Sequence, residues 1–223
     1  ALVRWIDPEK GMIPIVSFLP SLEENGLIEE VDLCIFEKIC AQINQWIQKY
    51  GRKIHISVNL SRCAFDYRYF FKDYVERYDK SPCPKDCIEF ELLESIVLNQ
   101  VDRVKEVVSE IKDFGFSCSL DDFGSGYSSF SVLTNSDIST LKIDRSLFRN
   151  VTDSREKILL RHVLQTAQEL HMKTVAEGVE TQEYVEFLKE LDCDYVQGYV
   201  YYRPMPPEEF EERFLIRNEK IDL

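Results

Sequence analysis

From Glu29 to Tyr50, apolar side chains recur every three or four residues, at Val31, Cys34, Ile35, Ile39, Ile43, Trp46 and Ile47. That period predicts an amphipathic helix, and Gly51 supplies its stop. The period then drops to two. Ile54, Ile56, Val58 and Leu60 alternate with His55, Ser57, Asn59 and Ser61, which predicts a strand. The aromatic-rich stretch from Phe65 to Tyr78 predicts a helix, and Pro82 and Pro84 mark the loop after it. Ile88, Phe90 and Leu92 alternate with Glu89 and Glu91, and Asn99 to Phe114 returns to helical spacing through Val101, Val104, Val108 and Ile111. Further strands are expected at Cys118 to Asp122, Thr140 to Asp144, Lys173 into the loop at Glu180, and Tyr195 to Val200. Helices are expected at Ser154 to His171 and from the cap Thr181 to Leu191. At the start, Ala1 to Ile6 reads as extended, Asp7 to Gly11 as a turn, and Ser21-Leu22-Glu23-Glu24 as a capping box that starts a helical turn. At the end, Pro204 to Pro207 leads into a short acidic helix, Glu208 to Phe214.

Strands that alternate with helices predict an α/β fold with a parallel sheet. Seven strands, counting the first residues, are one short of a (β/α)8 TIM-like barrel. The competitor, an open doubly wound sheet, lacks its Gly-x-Gly-x-x-Gly turn after the first strand. No composition break or internal repeat points to a second domain, so residues 1–223 read as one domain with a tail at 215–223. Apolar residues at 44% and aromatics at 12% allow a substantial core. The formal charge of -13 argues against non-specific binding to a DNA or RNA polymer, which needs a basic surface. It leaves room for a small phosphate ligand, because bound metals invert the local field. Seven scattered cysteines, mostly among apolar residues, read as reduced core thiols of a cytoplasmic protein. Cys83 and Cys87 form a zinc-like half-site with no second Cys/His pair to complete it. No apolar run reaches the length of a membrane helix, although a longer parent protein could still be membrane-tethered.

Ser119-Leu120-Asp121-Asp122-Phe123-Gly124-Ser125-Gly126 carries the strongest candidate chemistry. Adjacent aspartates at a strand end can bridge divalent cations, or can belong to an Asp-Gly turn with a helix-capping carboxylate. Other strand ends bear on the choice. They carry Asn59, Glu91 with Glu94, Lys142, Glu177 with Glu180, and Gln197. In a barrel these ends converge, and clustered carboxylates repel unless cations compensate. No Cys or His lies among them, so the expected cations are Mg²⁺ or Mn²⁺. Lys142 reads either as a catalytic lysine of depressed pKa or as a neutralising charge. Gln197 reads either as a ligand contact or as a hydrogen-bonded interior amide. His55, His162 and His171 read as structural or surface residues.

Val58-Asn59-Leu60-Ser61, Glu91-Leu92-Leu93-Glu94, Asp121-Asp122-Phe123-Gly124-Ser125-Gly126-Tyr127-Ser128-Ser129, Leu141-Lys142-Ile143-Asp144-Arg145-Ser146, Val175-Ala176-Glu177-Gly178-Val179-Glu180 and Gln197-Gly198-Tyr199 follow one another in this order. Together with Ala1-Leu2-Val3-Arg4-Trp5 they resemble the EAL domain family, bacterial phosphodiesterases that linearise cyclic di-GMP. The resemblance runs to about Phe214. It implies a two-metal barrel in which Asn59, Glu91 and Asp121 hold one cation, and Asp121, Asp122 and Glu177 the other. It also implies that Lys142 orients or deprotonates the attacking water, and that Arg4 and Gln197 contact substrate. Glu94 would anchor the loop after Asp122, which in this family links the metals to a homodimer interface.

The chain departs from the family pattern in two places. The glutamate of the family's Glu-Ala-Leu signature would stand just before Ala1, as would the preceding strand, so this chain reads as N-terminally truncated. Without that carboxylate, metal affinity and activity are expected to be impaired. Leu93 stands where the family usually has threonine, which removes a hydroxyl near the loop anchor. The resemblance implies hydrolysis of cyclic di-GMP to linear pGpG. The alternative is a catalytically inactive cyclic di-GMP receptor or protein-interaction module.

Overall fold

The computed structural model describes residues 1–62, 65, 70–126, 133, 137–149 and 154–219, with only the backbone of Leu98. Its parallel strands follow chain order, β3 (Ile56–Asn59), β4 (Ile88–Leu93), β5 (Ser117–Phe123), β6 (Thr140–Ile143), β7 (Lys173–Ala176) and β8 (Tyr195–Val196). By contacts the chain forms two compact units. One comprises Ala1–Leu92 and Gln100–Cys118, the other Leu93–Asn99 and Ser119–Leu223.

The first unit opens with a hairpin. Strand β1 (Trp5–Asp7) pairs antiparallel with β2 (Gly11–Ile13), and Ile6 lies opposite Met12. The Asp7 carboxylate accepts the backbone N–H groups of Glu9 and Lys10 at 2.9 and 2.8 Å, which closes the expected turn. Residues 5–7 therefore do not join the parallel strands. A three-residue turn can only fold the chain straight back, whereas a parallel neighbour needs a crossover of a dozen or more residues.

Helix α1 (Ile15–Glu24) starts six residues before the expected capping box and contains Pro20. That proline removes the N–H that would bond to the carbonyl of Val16, a residue 82% exposed, so water can serve the carbonyl instead. Helix α2 (Ile28–Tyr50) ends as expected. Gly51 takes φ 66° and its N–H bonds to the carbonyl of Ile47. In helix α3 (Phe70–Lys80) only the second part of the expected helix is described, and residues 66–69 lie outside the described residues.

The core of this unit is aromatic. Phe90 of β4 meets Phe36 at 5.6 Å, Tyr74 at 5.3 Å, Phe116 at 5.5 Å and Phe71 at 6.4 Å between ring centroids. Three of these contacts are edge-to-face, the arrangement that sets a positive ring edge against a negative face. Helix α5 (Val101–Phe114) adds Val104, Val107, Val108 and Ile111, all buried.

In the second unit, helix α4 (Glu94–Asn99), helix α6 (Ser154–Glu169) and helix α7 (Gln182–Glu190) accompany the later strands. Leu120, Leu141, Ile143, Ala176, Leu160, Leu164 and Leu188 are fully buried there. Strand β8 stops at Val196, earlier than its alternating pattern predicts, because the chain turns at Gly198. The tail helix α8 (Pro207–Phe210) continues in π-helical form through Glu211–Ile216. The six described cysteines are free thiols, and Cys63 lies outside the described residues. Among the described residues no helix is long and apolar enough to cross a membrane.

Phe90→Ala should destabilise the protein by about 3–5 kcal/mol in urea unfolding, the usual loss for a buried phenylalanine. A loss under 1 kcal/mol would contradict the central place of this ring.

Asp32, on α2, gives a pH signature. Its carboxylate accepts the N–H of Ser61 at 3.2 Å, and burial pushes its pKa up to about 6, although the Ser61 bonds oppose that rise. Between pH 4 and 6 the folded chain keeps a proton that the unfolded chain releases. The associated stability is full below the unfolded pKa and is lost as pH rises through the folded one. Asp32→Asn should remove this slope and raise stability at pH 7 by on the order of 1–3 kcal/mol. Equal pH profiles for variant and wild type would refute it.

Candidate active site

A regular strand sends neighbouring side chains to opposite faces, so Asp121 and Asp122 should diverge. The structure breaks that rule with a bulge. Leu120 pairs with Leu141 and Phe123 with Ile143, which leaves both aspartates opposite Lys142 alone. Asp122 takes a left-handed φ of 58°, a conformation that aspartate tolerates better than most residues. Both carboxylates thereby come to one place. With Glu177, just past β7, they offer three oxygens within 4.8 Å of one another.

Lys142 lies among them and is 5% exposed. Its Nζ is 2.8 Å from Asp121 Oδ1 and 2.8 Å from Glu177 Oε1. Burial pushes the Glu177 carboxyl up to about 7, Lys142 opposes the shift, and the charge of Asp121 adds to it. Three carboxylates share this place with one ammonium.

The donor set fits a hard cation. Magnesium-like ions hold oxygens at about 2.1 Å, which sets ligand oxygens about 3 to 4.2 Å apart. The three carboxylates offer oxygens within 4.8 Å of one another, close to that spacing.

The strand end is fastened by its neighbours. Glu94, at the head of α4, accepts the Gly124 N–H at 3.1 Å. Leu93 leaves this bond in place. Ser146, which sequence reasoning quoted without a role, donates its hydroxyl to the Gly124 carbonyl at 2.7 Å. The pattern Asp144-x-Ser146 was a usable signal, because Asp144 accepts the Ser146 N–H and caps the 3₁₀ turn Arg145–Phe148. Tyr127, Ser128 and Ser129 of the expected control loop lie outside the described residues. Glu180, in the loop after β7, pairs with the Arg145 guanidinium.

Gln197 is exposed and its backbone is fixed. Its N–H bonds to the Ala176 carbonyl at 2.8 Å, and its carbonyl accepts from Val179 at 3.2 Å. A Cβ on Gly198 would lie 2.0 Å from the Val179 carbonyl oxygen, so only glycine fits there. The first unit brings Asn59 and Glu91 into register on β3 and β4; Asn59 is exposed and Glu91 buried. Arg4 is exposed, and its guanidinium donates to the Val3 carbonyl at 2.8 Å. His55, His162 and His171 are exposed.

Fold and carboxylate cluster together define an α/β protein with an acidic cluster that could hold a metal ion, at the carboxyl ends of parallel strands. The profile of the EAL domain matches residues 1–204, and the chain belongs to the EAL domain family. It is 30% identical over 95% of its length to the cyclic di-GMP phosphodiesterase NbdA of Pseudomonas aeruginosa, covering 27% of that protein. It is 33% identical over 97% of its length to the cyclic di-GMP phosphodiesterase PdeR of Escherichia coli, covering 33%. The chain thus spans about a third or less of these relatives. The solved PaMucR phosphodiesterase in complex with c-di-GMP matches with a TM-score of 0.86 at 31% identity, over 94% of this chain and 85% of that one. The fold class is the expected one, an α/β TIM-like barrel.

Gly198→Ala should destabilise the protein by about 1–3 kcal/mol in urea unfolding, since the new methyl group displaces the Val179 backbone. Unchanged stability would refute the close approach.

Proposed function

We propose that the chain is the catalytic domain of a metal-dependent phosphodiesterase that hydrolyses cyclic di-GMP to linear pGpG. One observation carries this reading: the bulge that gathers Asp121, Asp122 and Glu177 around the buried Lys142, in a member of the EAL family. Relatives named cyclic di-GMP phosphodiesterases support the choice of substrate. In this reading residues 1–223 form one domain, active in the cytoplasm as a homodimer.

Asp121, Asp122 and Glu177 would hold Mg²⁺ or Mn²⁺, with Asn59 and Glu91 as the further ligands that the family pattern implies. Bound cations of this kind lower the pKa of a water and offset the charge that develops at phosphorus. Lys142 holds Asp121 and Glu177 in place and hydrogen-bonds the attacking water, orienting it or taking its proton. Water oxygen then bonds to phosphorus, the bond from phosphorus to the ribose 3′-oxygen breaks, and the leaving oxygen takes up a proton. Arg4 would contact a phosphate oxygen and Gln197 the bound dinucleotide. Glu94 keeps Gly124, and with it the strand end, in position.

The chain with a glutamate placed before Ala1, incubated with cyclic di-GMP and Mg²⁺ or Mn²⁺, should release pGpG, detected by mass spectrometry. Lys142→Ala should lower kcat/KM by on the order of 10²–10⁴-fold, the range for a proton-transfer group. Absence of any linear product would sink the proposal. Tight binding of cyclic di-GMP that ignores chelator, without hydrolysis, would make the protein a receptor instead.

A further inference from the structure

The peptide unit of Gly124 is held on three sides. Its N–H goes to Glu94, its carbonyl accepts the Ser146 hydroxyl at 2.7 Å, and its Cα faces Leu147 so closely that a Cβ would lie 2.3 Å from the leucine Cδ1. Gly124 also sits third in a four-residue turn closed by the Ser125 N–H on the Asp122 carbonyl, at 3.0 Å. Its φ of 97° suits that position and is open to glycine. The turn therefore transmits any movement of Gly124 to the carbonyl of Asp122, two residues upstream.

Asp122 itself is held at φ 58°, a conformation a non-glycine residue keeps only when its surroundings impose it. Released, it would relax toward regular strand geometry and swing its carboxylate away from Asp121. Ser146 is well placed to prevent this. Its own N–H is fixed by Asp144 Oδ1 at 2.9 Å, and the Asp144 N–H is fixed by the Phe123 carbonyl at 2.9 Å. The hydroxyl thus projects from a turn that is already tied to the bulged strand.

We infer that Ser146 is a positioning residue for the cation site, acting through the Gly124 carbonyl to keep Asp122 on the face of Asp121 and Glu177. The inference rests on the proposed function for its cation, but the clamp itself does not. Ser146 touches neither substrate nor reacting atoms in this scheme. Its single hydroxyl is what matters, so threonine should substitute for it and alanine or valine should not.

The test uses the chain with a glutamate placed before Ala1, as in the activity assay, and three variants of it, Ser146→Ala, Ser146→Thr and Ser146→Val. Threonine and valine have the same shape, so their difference isolates the hydroxyl even if one truncation harms folding. Two quantities are measured: Mn²⁺ affinity, from loss of the free-ion EPR signal, and hydrogen exchange of the Gly124 amide. Ser146→Ala and Ser146→Val should bind Mn²⁺ roughly ten-fold more weakly, a change of about 1.4 kcal/mol. Their Gly124 amide should exchange at least several-fold faster, while Ser146→Thr stays near wild type in both. Wild-type exchange at Gly124 in the valine variant overturns the clamp. Faster exchange with unchanged Mn²⁺ affinity overturns the positioning role. A wild-type chain that takes up no Mn²⁺ refutes the functional reading, and exchange at Gly124 then still decides the clamp.

Discussion

Two neighbouring residues on a regular strand cannot share a face, and the site depends on evading that constraint. The evasion is a single extra residue in β5 opposite β6, with Asp122 in left-handed backbone geometry. Without it one aspartate would be turned away from Lys142 and Glu177, and the three-oxygen cluster would not exist. A bulge also bends its strand and increases local twist. The support comes from side chains just beyond the neighbouring strands, Glu94 and Ser146, which grip one glycine from opposite ends.

Much of this was legible in the residue pattern. Strand positions follow the two-residue period, and α2 ends at the glycine that its spacing indicated. Asn59, Glu94, Glu177 and Gln197 stand at or just after strand ends, whereas Glu91, Asp121 and Lys142 lie within β4, β5 and β6. The bulge was not legible, because Leu120 and Phe123 flank the aspartates just as they would in an unbroken strand. Pairing partners across a sheet are long-range information that local hydropathy does not carry. The hairpin at Trp5–Asp7 was missed for a similar reason: an extended segment does not reveal which neighbour it will choose. The expected helix start at Ser21 misled more directly, through Pro20 just before it. Proline normally marks a helix boundary, yet here it lies inside α1 on an exposed stretch.

The electrostatics of the second unit form a local balance. Lys142 is nearly free of solvent and sits at equal distances from two carboxylates. In such a setting an ammonium lowers the cost of holding acids together, but one charge cannot match three. The upward push on Glu177 comes first from its burial, and the charge of Asp121 adds to it against the pull of Lys142. The first unit solves a different problem. Its rings pack around Phe90 of β4, and Asn59 and Glu91 stand opposite each other in the register of β3 and β4.

The near-contact between Gly198 and Val179 reaches further than local sterics. The segments after β7 and β8 are joined backbone to backbone, with Val179 bonded to both Gln197 and Val200. Neither can change length or path alone. For protein engineering they are a single exchangeable cassette: a loop taken from a relative would have to travel with its neighbour. In the proposed reading, where Gln197 contacts the ligand and Glu177 a cation, the same linkage would make divergence at the two proceed together rather than independently.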